Sequence, residues 1–324
     1  MTQLSVVVPC YNERECIQEF YRRVSAACQA ARLVPYEIVF VNDGSTDGTL
    51  DILRKIQASD DKVRVVDLSR NHGHQLASSA GLTVARGEMV LLIDADLQDP
   101  PELLGKMVEL LEQGADVVYG QRIRRHGETF FKRFSAALFY RLLSRSSKVV
   151  IPLDTGDFRL MRRHVVDILN QMSESHRFIR GLVAWTGFNQ VALPYERDPR
   201  YAGETKYPLL KMLNFSLDAF TAFATAPLRY VFLAALLAIL VAVGMLAWTA
   251  YSYFFLDAVA GWSSLMAVFL FFTSVQLLSL AVIGEYVGRI FIEAKKRPMF
   301  VIRNIYEAPT ARSRLLATVA ETQG

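Results

Sequence analysis

Cysteine is scarce in this chain: Cys10, Cys16 and Cys28 are the only three among 324 residues. Odd in number, clustered and without metal-site spacing, they read as reduced structural thiols. No basic tract occurs, which argues against nucleic acid as a partner, and a net charge of +4 fits a protein beside an anionic membrane. Internal repeats and low-complexity segments are missing. No G-x-G-x-x-G follows the first strand-like run, which argues against a dinucleotide-binding oxidoreductase. Charge itself is missing from two long stretches. Between Arg229 and Asp257, and again between Asp257 and Glu285, 27 residues pass without an Asp, Glu, Lys or Arg. As helix each would be roughly 40 Å long, against a hydrocarbon core of roughly 30 Å. Two transmembrane helices are expected.

Charge placement sets their orientation. The connection from Asp257 to Trp262 is short and lacks Lys or Arg, whereas Arg229 precedes the first span and Arg289, Lys295, Lys296 and Arg297 follow the second. The positive-inside rule then puts both outer flanks in the cytosol, with a small hairpin outside. The N-terminus opens on a strand-like segment with no signal peptide, so the large N-terminal domain is expected to be cytosolic. The expected location is the plasma (inner) membrane, multi-pass, with both termini cytosolic. Residues 208–228 are rich in Leu and Phe and poor in charge, which suits a helix lying at the membrane interface or packed on the domain. The expected organisation is a catalytic domain over 1–207, a juxtamembrane helix over 208–228, two spans over 229–290 and a cytosolic segment over 291–324. Within the last, Met299-Phe300-Val301-Ile302 is β-prone, a strand for pairing with a neighbouring subunit in a homo-oligomer.

Ahead of the spans, apolar strand-like runs occur at Leu4–Val8, Glu37–Val41, Val63–Leu68, Glu88–Ile93 and Ala115–Tyr119. Helical stretches with apolar periodicity separate the first four, for example Ile52 and Ile56. That alternation predicts an α/β domain with a mainly parallel sheet and helices on both faces. Polar loops end the strands: Pro9-Cys10-Tyr11-Asn12-Glu13, then Asn42 to Gly48, then Asp94 to Pro100. In a parallel sheet they share the carboxyl edge, where ligands bind.

The Asp94-Ala95-Asp96 triplet directly follows Met89-Val90-Leu91-Leu92-Ile93. Residues i and i+2 of an extended segment point the same way, so the two carboxylates can meet one hard cation. Two carboxylates leave positions for water and phosphate, which suits Mg²⁺ or Mn²⁺ better than zinc. The alternative is a pair of solvated loop acids.

Taken in order, Val6-Val7-Val8-Pro9-Cys10-Tyr11-Asn12-Glu13, Val41-Asn42-Asp43-Gly44-Ser45-Thr46-Asp47 and Asp94-Ala95-Asp96-Leu97-Gln98-Asp99-Pro100 resemble the family 2 glycosyltransferases of GT-A (Rossmann-like) fold. Thr155-Gly156-Asp157-Phe158-Arg159-Leu160, Arg177-Phe178-Ile179-Arg180-Gly181, Gly203-Glu204-Thr205-Lys206-Tyr207 and the paired spans extend the resemblance. They look like the polyprenyl-phosphate hexosyltransferases, which include dolichyl-phosphate mannose synthase-like enzymes and bactoprenol glucosyltransferases.

The resemblance implies roles. Pro9, Tyr11, Glu13, Asp43 and Asp94 would bind the donor nucleotide, Tyr11 by stacking and Asp43 through a base edge. Glu13 reads equally as an acid at a helix N-terminus. Asp94, Asp96 and Gln98 would hold the metal, and Asp157 matches the position proposed for a catalytic base. Arg122, Arg133, Ser135 and Lys206 would contact the acceptor phosphate, for which arginine's planar fork is suited. Asp99-Pro100-Pro101 reads as the cap and start of the next helix. His72 and His74 read as loop or core residues. A lipid monophosphate has a second pKa near ~6 and is mostly dianionic at neutral pH, so Asp157 is expected to orient groups more than to remove a proton. The expected activity is metal-dependent, inverting transfer of a hexose from a nucleotide sugar, UDP-glucose first, to undecaprenyl or another polyprenyl phosphate in the bilayer. Mannose, N-acetylhexosamine and aminoarabinose donors stay open, as does a non-catalytic membrane adaptor of the same fold. A processive polysaccharide synthase is disfavoured, since no Q-x-x-R-W occurs and the spans are too few for a channel.

Overall fold

The computed structural model describes residues 2–123, 155–174, 177–197 and 262–308, with further positions between 231 and 251. In the first part, runs such as Val6-Val7-Val8 and Ile38-Val39-Phe40-Val41 are apolar without alternation. Such strands belong in a sheet covered on both faces. They form β1 (Leu4–Cys10) and β2 (Tyr36–Asn42), every residue of which is buried. The chain continues with β3 (Val63–Leu68), β4 (Met89–Leu92), β5 (Val117–Arg122), β6 (Thr155–Arg162), β7 (Gln190–Tyr195) and β8 (Ile302–Tyr306). Interleaved are α1 (Ile17–Ala30), α2 (Thr49–Ser59), α3 (His74–Val84), α4 (Leu104–Glu112), α5 (Arg163–Gln171) and α6 (Ile179–Trp185), with α7 (Trp262–Ala294) before β8.

The eight strands lie in the order β7-β5-β6-β4-β1-β2-β3-β8. Strands β4, β1, β2 and β3 run parallel, as does the pair β5–β7. The expected mainly parallel sheet is in fact mixed, because β6 runs antiparallel between β4 and β5, and β8 antiparallel beside β3. On one face α1 buries Ile17, Phe20 and Val24, a helical stripe, and Phe20 meets Phe40 edge-on at 6.3 Å. The core cluster there also includes Leu53 of α2 and Met107 of α4. On the other face α3 sets Gly81 against Val7 and Val41. Burying each such aliphatic side chain contributes about 1.5–3 kcal/mol, so Val39→Asp in β2 would unseat the sheet.

Strand β8 corrects one expectation. Its partner is β3 of the same chain, with Val66 opposite Ile305 and Asp67 opposite Asn304. Arg303 Nη2 donates to the Ser69 carbonyl at 2.6 Å, and Glu307 meets Arg64 Nε at 2.8 Å. The segment after the apolar helix therefore completes the sheet of the N-terminal domain.

Helix α7 belongs to a separate compact unit. Among the described residues it supplies the one helix long and apolar enough to cross a membrane, over Phe271–Ala294, and none of that stretch is buried. Phe271, Leu278, Leu280 and Ile290 are among its exposed side chains. About half of the first expected span falls outside the described residues. Those described between 231 and 251 are helical, and Leu237, Leu240 and Trp248 are exposed there too. The juxtamembrane segment 208–228 lies outside the described residues.

Candidate active site

The loops after β1, β2 and β3 share the carboxyl edge and are laced together. The Asn12 N–H donates to Ser45 Oγ at 3.0 Å, and the Thr46 N–H returns to Asn12 Oδ1 at 2.8 Å. Glu13 N–H donates to Thr49 Oγ1, while the Glu13 carbonyl accepts from Cys16 and Ile17 and opens α1. Gly44 has φ +67°, and a Cβ there would lie 2.6 Å from the Asn71 backbone nitrogen, so this turn demands glycine. Pro9 is buried in β1 beside Val41, and Tyr11 is 38% exposed at the edge.

Asp43, just past β2, is only 2% exposed. Its Oδ1 accepts the His72 N–H at 2.6 Å and its Oδ2 the Gly73 N–H at 2.9 Å. Within the chain, this acid fixes the turn that launches α3. Two lone-pair sites on the carboxylate remain for a ligand.

A second group of acids lies at the ends of β4 and β6. These strands are antiparallel, with Leu91 opposite Leu160 and Leu92 opposite Arg159. Continuing that register beyond Leu92 sets Asp94 opposite Asp157. His74, the first residue of α3, stands between the two, with Nε2 3.1 Å from Asp157 Oδ2 and 3.4 Å from Asp94 Oδ1. Burial opposes its charge, but Asp94 and Asp157 overcome that and push the imidazole up to about 9. The next residue, Gln75, donates from Nε2 to Asp157 Oδ2 at 2.6 Å. On the other oxygen, Arg180 Nε of α6 lies 3.3 Å from Asp157 Oδ1. Burial alone would raise Asp157, yet Arg180 and His74 hold it well below the usual carboxylate range. Asp157 is therefore a fixed anion of low basicity.

Asp94 is shifted the other way. Burial, with help from Asp157, Asp99 and Asp96, pushes it up to about 6 against the pull of His74. Its Oδ1 is buried without a hydrogen-bond partner. Asp96 Oδ1 accepts the Gln98 N–H at 3.2 Å, a local turn across Leu97, which adopts φ +59°. Among the described residues no three His, Cys, Asp or Glu side chains group as a metal site. Asp94 and Asp96 nonetheless suit a hard divalent cation, because an Asp94 oxygen that accepts no hydrogen bond and the mutual repulsion of the acids are what a cation would relieve.

Asp99 departs from expectation. It caps no helix: the turn Pro101–Leu103 starts from Pro100 with no side-chain cap. Asp99 is instead fully buried, accepts the Tyr195 hydroxyl hydrogen bond, and lies 3.6 Å from both Arg122 Nη2 and Arg197 Nε. Arg122 and Tyr195 are register partners on β5 and β7, and Arg122 Nε donates to the Tyr195 hydroxyl at 3.3 Å. Gly156 makes room for this arginine, since a Cβ there would lie 2.5 Å from Arg122 Nη2. Arg197 Nη2 reaches within 3.8 Å of Asp96 Oδ2. Two cations thus flank the acids on the β5–β7 side.

Of the residues expected in the site, Asp94, Asp96, Gln98, Asp157 and Arg122 come together here, while Pro9, Tyr11, Glu13 and Asp43 line the same edge. Arg133, Ser135 and Lys206 lie outside the described residues. Sequence reasoning missed His74, Gln75, Asp99, Arg180, Tyr195 and Arg197. His74 and Gln75 carried a signal in following Gly73 after the third strand, the position other strand-end loops already marked. Arg177, from the same quoted segment as Arg180, is structural: it donates to the carbonyls of Leu169 and Met172.

Comparison with known proteins identifies the family. The sequence profile described as glycosyl transferase family 2 matches residues 5–169. The uncharacterized glycosyltransferase YkcC of Bacillus subtilis (strain 168) is 48% identical, with 94% of each chain covered. The bactoprenol glucosyl transferase of Shigella phage SfV is 38% identical, covering 93% of this chain and 98% of its own. Among solved structures, mannosyl-3-phosphoglycerate synthase from Rubrobacter xylanophilus aligns with a TM-score of 0.46 and 22% identity, over 68% of this chain and 72% of that one.

Proposed function

The chain belongs to glycosyl transferase family 2 and is a glycosyltransferase, and from that premise we propose that it moves a hexose from a nucleotide sugar to a polyprenyl phosphate at the cytosolic face of the plasma membrane. Glucose is the favoured sugar, on the name of the phage relative, and UDP-glucose the donor that the sequence resemblance favours. One observation carries the reading: Asp94 and buried Asp157 face each other across the β4–β6 seam, the first with an oxygen that accepts no hydrogen bond and the second clamped as an anion.

In this reading an acceptor phosphate oxygen attacks the anomeric carbon as its bond to the nucleoside diphosphate breaks, inverting the centre. Asp94 and Asp96, with Gln98, would hold Mg²⁺ or Mn²⁺, which supplies Lewis-acid neutralisation of the departing diphosphate. The remaining work falls to protein groups. Tyr11 offers a stacking face for the base, and Pro9, Glu13 and Asp43 shape the nucleotide pocket. Asp157 orients the cationic groups and the incoming sugar; its low basicity matches an acceptor with little need to lose a proton. Arg122, with Arg133, Ser135 and Lys206, receives the acceptor phosphate. Catalytic domain 1–207, juxtamembrane helix 208–228, paired spans 229–290 and C-terminal segment 291–324 are the corresponding divisions, with β8 returning to the catalytic sheet.

Two spans rather than one are supported by chain topology. Strands β7 and β8 share a sheet, so a chain that leaves after Tyr195 and returns at Ile302 crosses any bilayer an even number of times. Membrane vesicles holding the protein, given polyprenyl phosphate and labelled nucleotide sugars in turn, should pass label into organic-extractable lipid. No label in lipid with any donor would overturn the reading.

A further inference from the structure

Gln75 plays no part in the residue roles above, yet its amide is committed at both ends. Nε2 donates to Asp157 Oδ2 at 2.6 Å, and Oε1 accepts the Ile179 N–H, the first of α6, at 2.9 Å. The orientation is unambiguous, because a backbone N–H can only donate and a carboxylate only accept. The residue after Ile179 is Arg180, whose Nε lies 3.3 Å from the other Asp157 oxygen and whose Nη1 donates to the Thr155 carbonyl at 2.6 Å. A closed circuit results, running from Asp157 through Gln75 to the start of α6 and back through Arg180. Phe178 beneath the Arg180 guanidinium, 5.1 Å away, steadies the same corner.

We propose that Gln75 is a positioning residue for Asp157, fixing the carboxylate's rotation and coupling it to the seat of α6. The proposal rests on the reading that Asp157 acts on substrate. His74 shares Oδ2 but also faces Asp94, so its loss would disturb two acids; Gln75 touches Asp157 alone among the site acids for which contacts are described. A carboxylate locked from both sides can present only one geometry to a sugar hydroxyl or phosphate. A free one would sample rotamers, and a displacement of about 1 Å in a reacting group costs on the order of 10²-fold in rate.

The test uses the full-length membrane protein and two variants chosen to separate function from structure. Gln75→Glu keeps an acceptor for the Ile179 N–H but sets a carboxylate oxygen against Asp157. Gln75→Leu removes both bonds. Both should lower kcat on the order of 10²-fold while KM for the nucleotide sugar stays within about threefold. In Gln75→Glu the loss should deepen at high pH and recover at low pH, where the introduced carboxyl is protonated and can donate to Asp157. Wild-type kcat in Gln75→Leu, or a kcat loss in Gln75→Glu that is the same at every pH, would overturn the proposal. Asp157→Asn assayed in parallel separates the two failures. Loss in Asp157→Asn with none in Gln75→Leu defeats only the inference, whereas full activity in Asp157→Asn defeats the reading beneath it.

Discussion

Asp43 and Asp157 are both buried acids at the carboxyl edge of one sheet, yet their oxygens end differently. Both oxygens of Asp43 accept backbone N–H groups from the turn before α3. Asp157 accepts from side chains on one oxygen only, and its Oδ1 meets Arg180 without a hydrogen bond; Asp94 Oδ1 and Asp99 Oδ2 likewise lack one. Backbone donors satisfy a carboxylate permanently and shape a loop. Side-chain cations neutralise without saturating, which leaves acceptor capacity unused. In the proposed function the first corner would position a loop and the second would meet substrate and metal.

The sharpest way to break this contrast is at Asp94. Asp94→Asn should lower kcat by on the order of 10³-fold in the lipid-transfer assay, and excess Mn²⁺ should restore only part of it. Near-normal turnover would show that the Asp94 carboxylate has no chemical task. Next in size is Asp99, which keeps Arg122 and Arg197 paired in a buried position. Asp99→Leu should destabilise the folded domain by about 3 kcal/mol in denaturant titration, because Arg122 loses its buried anion and the Tyr195 hydroxyl its acceptor, while Arg197 keeps Asp96. Asp43→Asn should cost less, about 1–3 kcal/mol, since one backbone N–H loses its acceptor, with KM for the donor rising more than kcat falls. A pure kcat effect would place Asp43 with the exchanging acids instead.

The His74 bridge offers a pH-dependent test. Its folded value is raised, to about 9 from an ordinary value near 6.5, so the stability it contributes is complete below about pH 6.5 and is lost as pH rises through about 9. Unfolding measured in chelator should show this decline, and His74→Gln should flatten it. The smallest effect is expected at Arg303, exposed on β8. Arg303→Ala should cost under about 1 kcal/mol and leave turnover within about twofold, despite its bond to the Ser69 carbonyl.

How much was legible beforehand differs by element. The first five strands were each marked by an apolar run and a polar stop, and the structure places β1 to β5 within a few residues of them. Strand β6 was not marked: Thr155-Gly156-Asp157-Phe158-Arg159 carries polar residues at alternate positions that end buried beside Arg180 and His74. Only neighbours supplied by other elements make such burial tolerable. Asp99 was misread for a related reason. An acid before two prolines fits a helix cap locally, and nothing local announces that Tyr195, Arg122 and Arg197 will arrive from 23 to 98 residues away.

By itself the sequence determined the layered α/β plan, the acids at strand ends and two charge-free stretches, because apolar periodicity and polar punctuation are short-range properties of the chain. Only the tertiary structure decided which acids face one another. Inserting β6 antiparallel beside β4 sets Asp157 across from Asp94, and the return of β8 to β3 closes the sheet with residues from beyond the apolar helix. Register and strand order depend on long-range pairing, and that pairing made separate loops into one site.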